Sequence, residues 1–162
     1  MLTGFNRSVY SLRNRLFVGV IGAGECEAEL AAEARALGRE LAAAGAVVVC
    51  GGMGGVMRAV CQGAQEQGGL TIGITPGSER SQANEFVALA IATGFGEARN
   101  LIIIRTADIL IAIGGSYGTL SEIGFALKMG KRVIGLKTWE IEGVEKAASV
   151  AEVLTRLKIK GG

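Results

Sequence analysis

Runs of aliphatic residues that end in clusters of glycine recur along this chain of 162 residues. The three clearest clusters occupy residues 22–24, 51–55 and 114–118, and each follows a run rich in valine, isoleucine or leucine. Uninterrupted aliphatic runs are typical of parallel strands that are buried on both faces of a sheet. Glycines directly after such strands permit tight turns and close backbone approach. This pattern restricts the chain to folds built on a buried parallel sheet.

The predicted strands alternate with helical segments. We predict strands over residues 16–21, 46–50, 70–74, 87–92, 109–113 and 132–136, and helices over residues 25–44, 56–67, 97–106, 119–129 and 144–157. Such alternation favours right-handed crossovers and a mostly parallel sheet. We therefore predict an α/β fold, a three-layer Rossmann-like sandwich. Residues 1–15 are predicted to form a flexible arm, and residues 16–162 a single nucleotide-binding domain.

The composition excludes several kinds of site. The chain has no histidine, so neither a zinc site with histidine ligands nor a Ser-His-Asp triad is possible, and we predict no metal site. A net charge of +2, with the charges interspersed, gives no basic footprint for nucleic acid. Cys26, Cys50 and Cys61 have no CxxC spacing and are typical of reduced thiols, so we expect a cytoplasmic location. The longest apolar segment after the first strand contains Arg105 and Asp108, so no membrane span is predicted.

The ligand site of such a sheet is expected beyond the carboxyl ends of its strands. The first cluster, Gly22-Ala23-Gly24, follows a strand and precedes a helix, as in a dinucleotide fingerprint. Glu27 stands where the third glycine would be, and no acidic residue ends the second strand. Classical NAD binding is therefore disfavoured. The alternative for this first cluster is a simple tight turn.

The second and third clusters have both a chemical and a structural interpretation. Residues 51–55 contain four glycines, whose N–H groups can approach an anion at a helix start, although close helix–sheet packing is the alternative. In the third cluster, Ser116 and Thr119 can donate hydrogen bonds to phosphate oxygens. Alternatively, Thr119 and Glu122 form a capping box. Arg99 can hold a phosphate with two hydrogen bonds, or it is a solvated surface residue.

The candidate ligand-binding residues share a position in or beside the loops that follow predicted strands. They are Gly22, Ala23, Gly24, Gly51, Gly52, Met53, Gly54, Gly55, Thr75, Pro76, Gly77, Arg99, Asn100, Gly114, Gly115, Ser116, Tyr117, Gly118, Thr119 and Glu122.

Two of these clusters carry a resemblance to a known family. Gly114-Gly-Ser-Tyr-Gly-Thr-Leu-Ser-Glu122 resembles the PGGxGTxxE signature of the LOG family of the SLOG superfamily, whose members are often labelled lysine decarboxylases. Gly51-Gly-Met-Gly-Gly-Val-Met57 resembles the second glycine-rich loop of that family, and the match spans residues 16–136. LOG enzymes hydrolyse cytokinin nucleoside 5′-monophosphates to the free base and ribose 5-phosphate. The resemblance implies that Arg99 and Glu122 are the catalytic residues of such an enzyme.

Departures from the signature resemble a sister branch more closely. The leading proline of the signature is Gly114 here, its second glycine is Ser116, and the lysine of its Arg-Lys pair is Asn100. Together with residues 20–24 and 93–100, these departures resemble the molybdenum cofactor carrier proteins, which bind a phosphorylated pterin without turning it over.

This second resemblance implies a small-molecule ligand that bears a phosphate, with the molybdenum cofactor as bound cargo and no required cofactor. It also implies a homo-oligomer, either a dimer or a tetramer. The alternative function is a nucleoside 5′-monophosphate phosphoribohydrolase of the LOG type. The DNA-processing protein A family also resembles this Rossmann variant, but no basic stripe or stacking set of aromatic residues supports nucleic acid as a partner.

Overall fold

The computed structural model describes residues 12–158, and strands and helices alternate through most of that range. The strands are β1 (Phe17–Gly22), β2 (Val47–Cys50), β3 (Thr71–Thr75), β4 (Leu89–Ala92), β5 (Ile109–Ile113), β6 (Arg132–Leu136) and β7 (Val144–Ala147). The α-helices are α1 (Ala28–Ala43), α2 (Gly55–Glu66), α3 (Asn100–Thr106), α4 (Tyr117–Lys128) and α5 (Val150–Leu157), and short 3-10 turns occupy Arg80–Gln82 and Gly96–Arg99.

The seven strands form one sheet in the order β4-β3-β2-β1-β5-β6-β7. All the pairings between neighbouring strands in it are parallel. From β1 the chain builds outward to β4, and it then returns to the other side of β1 to add β5, β6 and β7. The switch point therefore lies between β1 and β5, which pair from Val18 with Ile109 to Gly22 with Ile113. In parallel sheets a crevice opens at this place.

Helices cover both faces of the sheet. Helices α1, α2 and α5 pack on one face, and α3 and α4 pack on the other. Strand β5 contributes to the core on each face. Ile109, Ile111 and Ile113 face α1, α2 and α5, whereas Leu110 and Ala112 face α3 and α4. Alternate side chains of a strand point to opposite faces, so a strand covered on both sides is aliphatic throughout. The predicted three-layer Rossmann-like sandwich is confirmed.

The predicted helix over residues 144–157 is wrong in its first part. Val144–Ala147 forms β7, which pairs with β6, and α5 begins only at Val150. Ser149 caps α5, since its hydroxyl accepts a hydrogen bond from the Glu152 N–H at 3.2 Å. The local sequence of β7 lacks strong β propensity, and its conformation comes from the open edge of β6. The Ser149-x-x-Glu152 pattern was the available signal for the helix start.

The predicted N-terminal arm falls mostly on residues 1–11, which lie outside the described residues. Leu12 is described, and it packs half-buried against the core beneath α3 and α4. Within residues 12–158, none of the helices combines the length and the apolar character that crossing a membrane requires.

Candidate functional site

The loops after β1 and β2 touch one another at the carboxyl edge of the sheet. The Val56 N–H in the first turn of α2 donates to the Ala23 carbonyl oxygen at 3.1 Å. Gly55 has a φ of +57°, and a Cβ at this position would overlap the same carbonyl. Gly55 is therefore needed for close approach between the start of α2 and the loop after β1, a contact different from the helix–sheet packing that was the alternative for this cluster. The hydrogen bond to Ala23 also occupies the Val56 N–H, which is one of the N–H groups at the start of α2.

The start of α4, after β5, is open. The helix begins at Tyr117 with Ser116 as its N-cap, and the Ser116 side chain makes no capping hydrogen bond. Thr119 is thus inside the first turn, and the predicted capping box of Thr119 with Glu122 is wrong. Among the described residues, no acceptor is found for the N–H groups of Tyr117, Gly118 and Thr119. N–H groups at the start of a helix carry the positive end of the helix dipole, which favours an anion.

The hydroxyl of Thr119 is buried at the same place. Thr119 is 2% exposed, and within residues 12–158 its Oγ1 has no hydrogen-bond partner. Gly115 lies directly beside it, because a Cβ on Gly115 would be 2.7 Å from that Oγ1. A buried hydroxyl without a partner is unfavourable and calls for an explanation. A ligand oxygen bound over the loop would supply the missing partner.

The segment after β6 supports the third glycine cluster. The Thr138 hydroxyl donates to the Gly114 carbonyl, and the Trp139 indole N–H donates to the Ser116 carbonyl at 3.3 Å. The rings of Tyr117 and Trp139 stack with centroids 6.1 Å apart. Sequence reasoning missed this segment, although it directly follows the predicted strand 132–136 and the carboxyl-end rule applies to it equally.

A crevice of about 460 Å³ lies between the loops after β1 and β5. Its lining includes Cys26, Leu30, Gly115, Ser116 and Lys137, together with Glu25, Glu27 and Glu29. Among residues 12–158, Lys137 is the single cation of this lining. Its ammonium contacts the carboxylates of Glu29 at 2.6 Å and Glu33 at 2.9 Å, and these carboxylates raise the pKa of Lys137. The lysine stays charged and partly neutralises an otherwise acidic rim.

Arg99 is a buried residue that joins neighbouring strand ends, so the surface alternative is wrong. Its Nε–H donates to the Ile74 carbonyl at 2.8 Å, one Nη donates to the Gly51 carbonyl at 3.2 Å, and the other contacts the Asn100 side-chain oxygen. Burial lowers the pKa of Arg99, and the charge of Glu122 opposes that effect. Two of its five N–H groups remain for another acceptor.

Glu122 lies in α4, one turn after Thr119, and is 8% exposed. Burial raises the pKa of Glu122 to about 7, although the positive charge of Arg99 acts against this rise. Within the described range the two side chains make no direct ion pair, so they interact through space. A carboxyl group with a pKa near neutrality exchanges protons readily at physiological pH.

The other candidates lie further from the crevice. Thr75 ends β3, two strands from β1, and its hydroxyl donates to the Ile91 carbonyl at 3.3 Å. The carbonyls of Pro76 and Gly77 accept from Gly96 and Gly94, which fixes the next loop. Met53 accepts from an asparagine side chain through its carbonyl. In the described part of the chain, no three acidic or cysteine residues are grouped to hold a metal ion.

Comparison with known proteins gives consistent matches over most of the chain. The model of the SLOG cluster4 family matches residues 15–159. An uncharacterised protein of Archaeoglobus fulgidus is 49% identical over 120 residues, which cover 74% of this chain and 79% of that protein.

Solved structures that are similar at more than 30% identity include two that bind or carry the molybdenum cofactor. The molybdenum cofactor binding protein of the phototrophic bacterium Rippkaea orientalis is 36% identical with a TM-score of 0.85, and the match covers 89% of this chain and 96% of that one. The molybdenum cofactor carrier protein of Chlamydomonas reinhardtii is 32% identical with a TM-score of 0.82, covering 89% and 97%.

A third solved structure shares the fold alone. DNA processing protein A from Helicobacter pylori is 20% identical with a TM-score of 0.70, and the match covers 91% of this chain and 82% of that one.

Proposed function

The chain belongs to the SLOG cluster4 family, and from this premise we propose that it binds a phosphate-bearing, nucleotide-like ligand as a carrier of the molybdenum cofactor type. The single observation that carries the proposal is the buried Thr119 hydroxyl, which has no hydrogen-bond partner among residues 12–158 and lies beside three N–H groups of α4 that are open within the same range. Similarity to two proteins that bind or carry the molybdenum cofactor supports that cofactor as the cargo.

The phosphate is placed at the N-terminus of α4. Backbone N–H groups at a helix start, together with the helix dipole, favour an anion. The Thr119 hydroxyl adds a fourth donor, and Gly115 has no side chain to separate it from the ligand. Lys137 supplies the one positive side chain of the neighbouring crevice. The remainder of the ligand then extends over the crevice between β1 and β5.

The arrangement of hydrogen-bond donors around the site favours binding a ligand without turning it over. Arg99 already donates to two backbone carbonyls, so much of its hydrogen-bonding capacity stabilises the protein itself. Donors in the first turn of α4 belong largely to the backbone and are fixed by the segment after β6. A rigid set of donors suits a binding protein because little ordering is required when the ligand arrives.

Calorimetry with two variants tests the phosphate contact. Thr119→Val keeps the size of the side chain and removes its hydroxyl, whereas Thr119→Ser keeps the hydroxyl and serves as the matched control. The probes are AMP and isolated molybdenum cofactor. Loss of a hydrogen bond to a charged group is worth about 1.5–3 kcal/mol, so we expect Thr119→Val to bind roughly ten- to a hundredfold more weakly. Wild-type affinity in that variant, or no binding of either probe to the wild type, would overturn the proposal.

Glu122 favours a second candidate function, a nucleoside 5′-monophosphate phosphoribohydrolase. Its pKa of about 7 and its nearby positive partner Arg99 are suited to stabilising positive charge at the ribose or to orienting water. The test is chromatographic detection of free base from AMP and its N6-substituted forms. Release by the wild type that is lost in Glu122→Gln supports the enzyme. Binding without release supports the carrier.

Three further expectations stay predictions. We propose that the protein is a homo-oligomer, either a dimer or a tetramer, and that it acts in the cytoplasm. It is also expected to bind small molecules and not nucleic acid, since the likeness to DNA processing protein A concerns the fold alone.

A further inference from the structure

Two cysteines lie side by side beneath the second glycine cluster. Cys50 is the last residue of β2, and Cys61 lies in α2, with residues 51–55 forming the loop between the two elements. Their sulfur atoms are 3.5 Å apart, and both side chains are fully buried. The pair is separate from the lining of the crevice, to which Cys26 belongs.

The surroundings make the two thiols unequal. The Cys50 sulfur accepts a hydrogen bond from the Gly52 N–H at 3.4 Å, and the charge of Arg99 acts on it as well. The contact with Cys61 lowers the pKa of Cys50 against the opposing effect of burial, and the Gly52 N–H and the Arg99 charge lower it further. The contact with Cys50 and burial raise the pKa of Cys61, and Asn84 opposes this rise only in part. Cys50 therefore has the greater thiolate character and is the better nucleophile of the pair.

We propose that Cys50 and Cys61 are a modification site at which a peroxide forms a reversible intrachain disulfide. The Cys50 thiol first loses its proton, its thiolate attacks one peroxide oxygen, and the O–O bond breaks, so that Cys50 becomes a sulfenic acid. The departing hydroxide takes up the proton that Cys50 released and becomes water. The Cys61 sulfur then attacks the Cys50 sulfur and displaces hydroxide, which takes the Cys61 proton to form a second water. Two thiols are oxidised to one disulfide, and hydrogen peroxide is reduced to two waters.

The geometry requires only a short movement. A disulfide bond is about 2.05 Å long, so the sulfurs must approach each other by about 1.5 Å. The cross-link would join the end of β2 to α2 and so close the segment that contains the glycine loop. Because both sulfurs are buried, the peroxide reaches them during local opening of that loop. This inference does not depend on the proposed ligand.

Differential alkylation with mass spectrometry tests the site in the full chain. The chain is treated with hydrogen peroxide under native conditions, quenched, unfolded and labelled with iodoacetamide. The variants Cys26→Ala, Cys50→Ala and Cys61→Ala are treated alongside. We expect wild-type labelling to fall from three thiols to one, with a mass loss of 2 Da in the joined peptides that carry Cys50 and Cys61. Dithiothreitol should restore all three labels.

The variants decide between this disulfide and other oxidation products. Cys26→Ala should still form the bond, whereas Cys50→Ala and Cys61→Ala should form none. The proposal is overturned if native protein never yields the joined peptides under conditions in which urea-unfolded protein does. It is also overturned if Cys26 is a partner in the main disulfide. A thermal-shift comparison of treated wild type and Cys61→Ala gives a second readout, with a higher Tm expected only for the wild type.

Discussion

Glu122 and Arg99 are both buried, and the positive charge of the arginine partly offsets the burial that raises the pKa of the glutamate to about 7. This interaction links Glu122 in α4 with Arg99, the residue directly before α3. Its effect on the pKa of Glu122 can be measured. The chain has no histidine, so no imidazole group titrates in the same pH range. Glu122 is therefore the natural origin of any sharp change in behaviour near neutral pH.

The first prediction concerns stability against pH. The pKa of Glu122 is raised on folding from the model-peptide range near 4.5, so the folded state retains its proton between about pH 4.5 and 7 while the unfolded state has lost it. The contribution of Glu122 to stability therefore falls as pH rises through that window and is constant above it. The upper limit of this change is roughly 3 kcal/mol. Glu122→Gln, which has no such proton, should lack it.

Urea unfolding at pH 5, 6, 7 and 8 measures this change as the difference between wild type and Glu122→Gln. A matched control is Glu140→Gln, because contact with Lys146 lowers the pKa of exposed Glu140. Between pH 5 and 8 the difference between wild type and Glu140→Gln should stay flat, because a lowered pKa costs stability only as pH falls below about 4.5. A difference between wild type and Glu122→Gln that stays flat from pH 5 to 8 would show that the pKa of Glu122 is not raised.

The second prediction concerns the charge of the crevice. Lys137→Met removes the one cation of the lining and leaves Glu29 and Glu33 without their partner. We expect AMP to bind roughly three- to tenfold more weakly, as an acidic rim repels the phosphate. Stability should change little, because exposed ion pairs contribute little.

Lys146→Met is the control for Lys137→Met. Lys146 also pairs with a glutamate, Glu140, at 2.7 Å, but it is not part of the lining of the crevice between the loops after β1 and β5. Calorimetry at low and physiological salt should show weaker AMP binding for Lys137→Met alone. Equal losses in both variants would mean that Lys137 acts only through overall charge.

The third prediction concerns the backbone beside Thr119. Gly115 has a φ of +121°, and a Cβ there would lie 2.5 Å from the Thr119 Cβ. Gly115→Ala should therefore destabilise the fold by about 1–3 kcal/mol and should move Thr119. Gly124→Ala in the middle of α4 is the control, since a Cβ at Gly124 meets nothing within 4 Å. It should stabilise the helix by about 0.5–1 kcal/mol.

Urea titrations of the two glycine variants give both values. If Gly115→Ala were as stable as wild type, the described conformation of the third glycine cluster would be incorrect. Binding of AMP by Gly124→Ala should remain at the wild-type level, because that variant leaves the first turn of α4 unchanged.

The fourth prediction concerns the expected homo-oligomer. A cavity of about 540 Å³ opens between the segment 97–101 and α4, and its lining includes the exposed aromatic residues Tyr117 and Phe125. We expect this face to contact another copy, because exposed apolar surface is a common feature of interfaces. Phe125→Glu should therefore reduce the mass measured by light scattering after gel filtration to that of one chain.

Phe95→Glu controls for the added charge, as Phe95 is also exposed but is not part of the lining of that cavity. This variant should retain the wild-type mass. A wild-type chain that is monomeric at all concentrations would contradict the prediction of a homo-oligomer, and an unchanged mass for Phe125→Glu would place the interface elsewhere.

Local sequence patterns were sufficient for most of the architecture. The aliphatic strands β1, β2, β3, β5 and β6 were predicted to within about a residue, since buried parallel strands have a distinctive composition. The pattern failed at Val144–Ala147, where pairing with β6 outweighs a helical preference. It also placed the start of α4 two residues late, because Tyr117 and Gly118 are exposed and give no periodic signal.

The candidate site was predictable in its location and much less so in its interactions. Glycine clusters after strands indicated the carboxyl edge, and Gly114–Thr119 does lie at the switch point. Nothing in the local sequence indicated that Arg99 donates to Ile74 and Gly51, which precede it by 25 and 48 residues. The same holds for Lys137, whose partner Glu29 is 108 residues away.

The sequence by itself determined the order of most strands and helices and the places where the backbone turns, because hydrophobic periodicity and the need for glycine at positive φ are properties of neighbouring residues. Only the tertiary structure decided that the Thr119 hydroxyl is buried with no partner among residues 12–158, that Cys50 lies against Cys61, and that Glu122 has a pKa of about 7. Burial and electrostatic interactions depend on which distant segments of the chain come into contact, and those segments meet only when the chain folds.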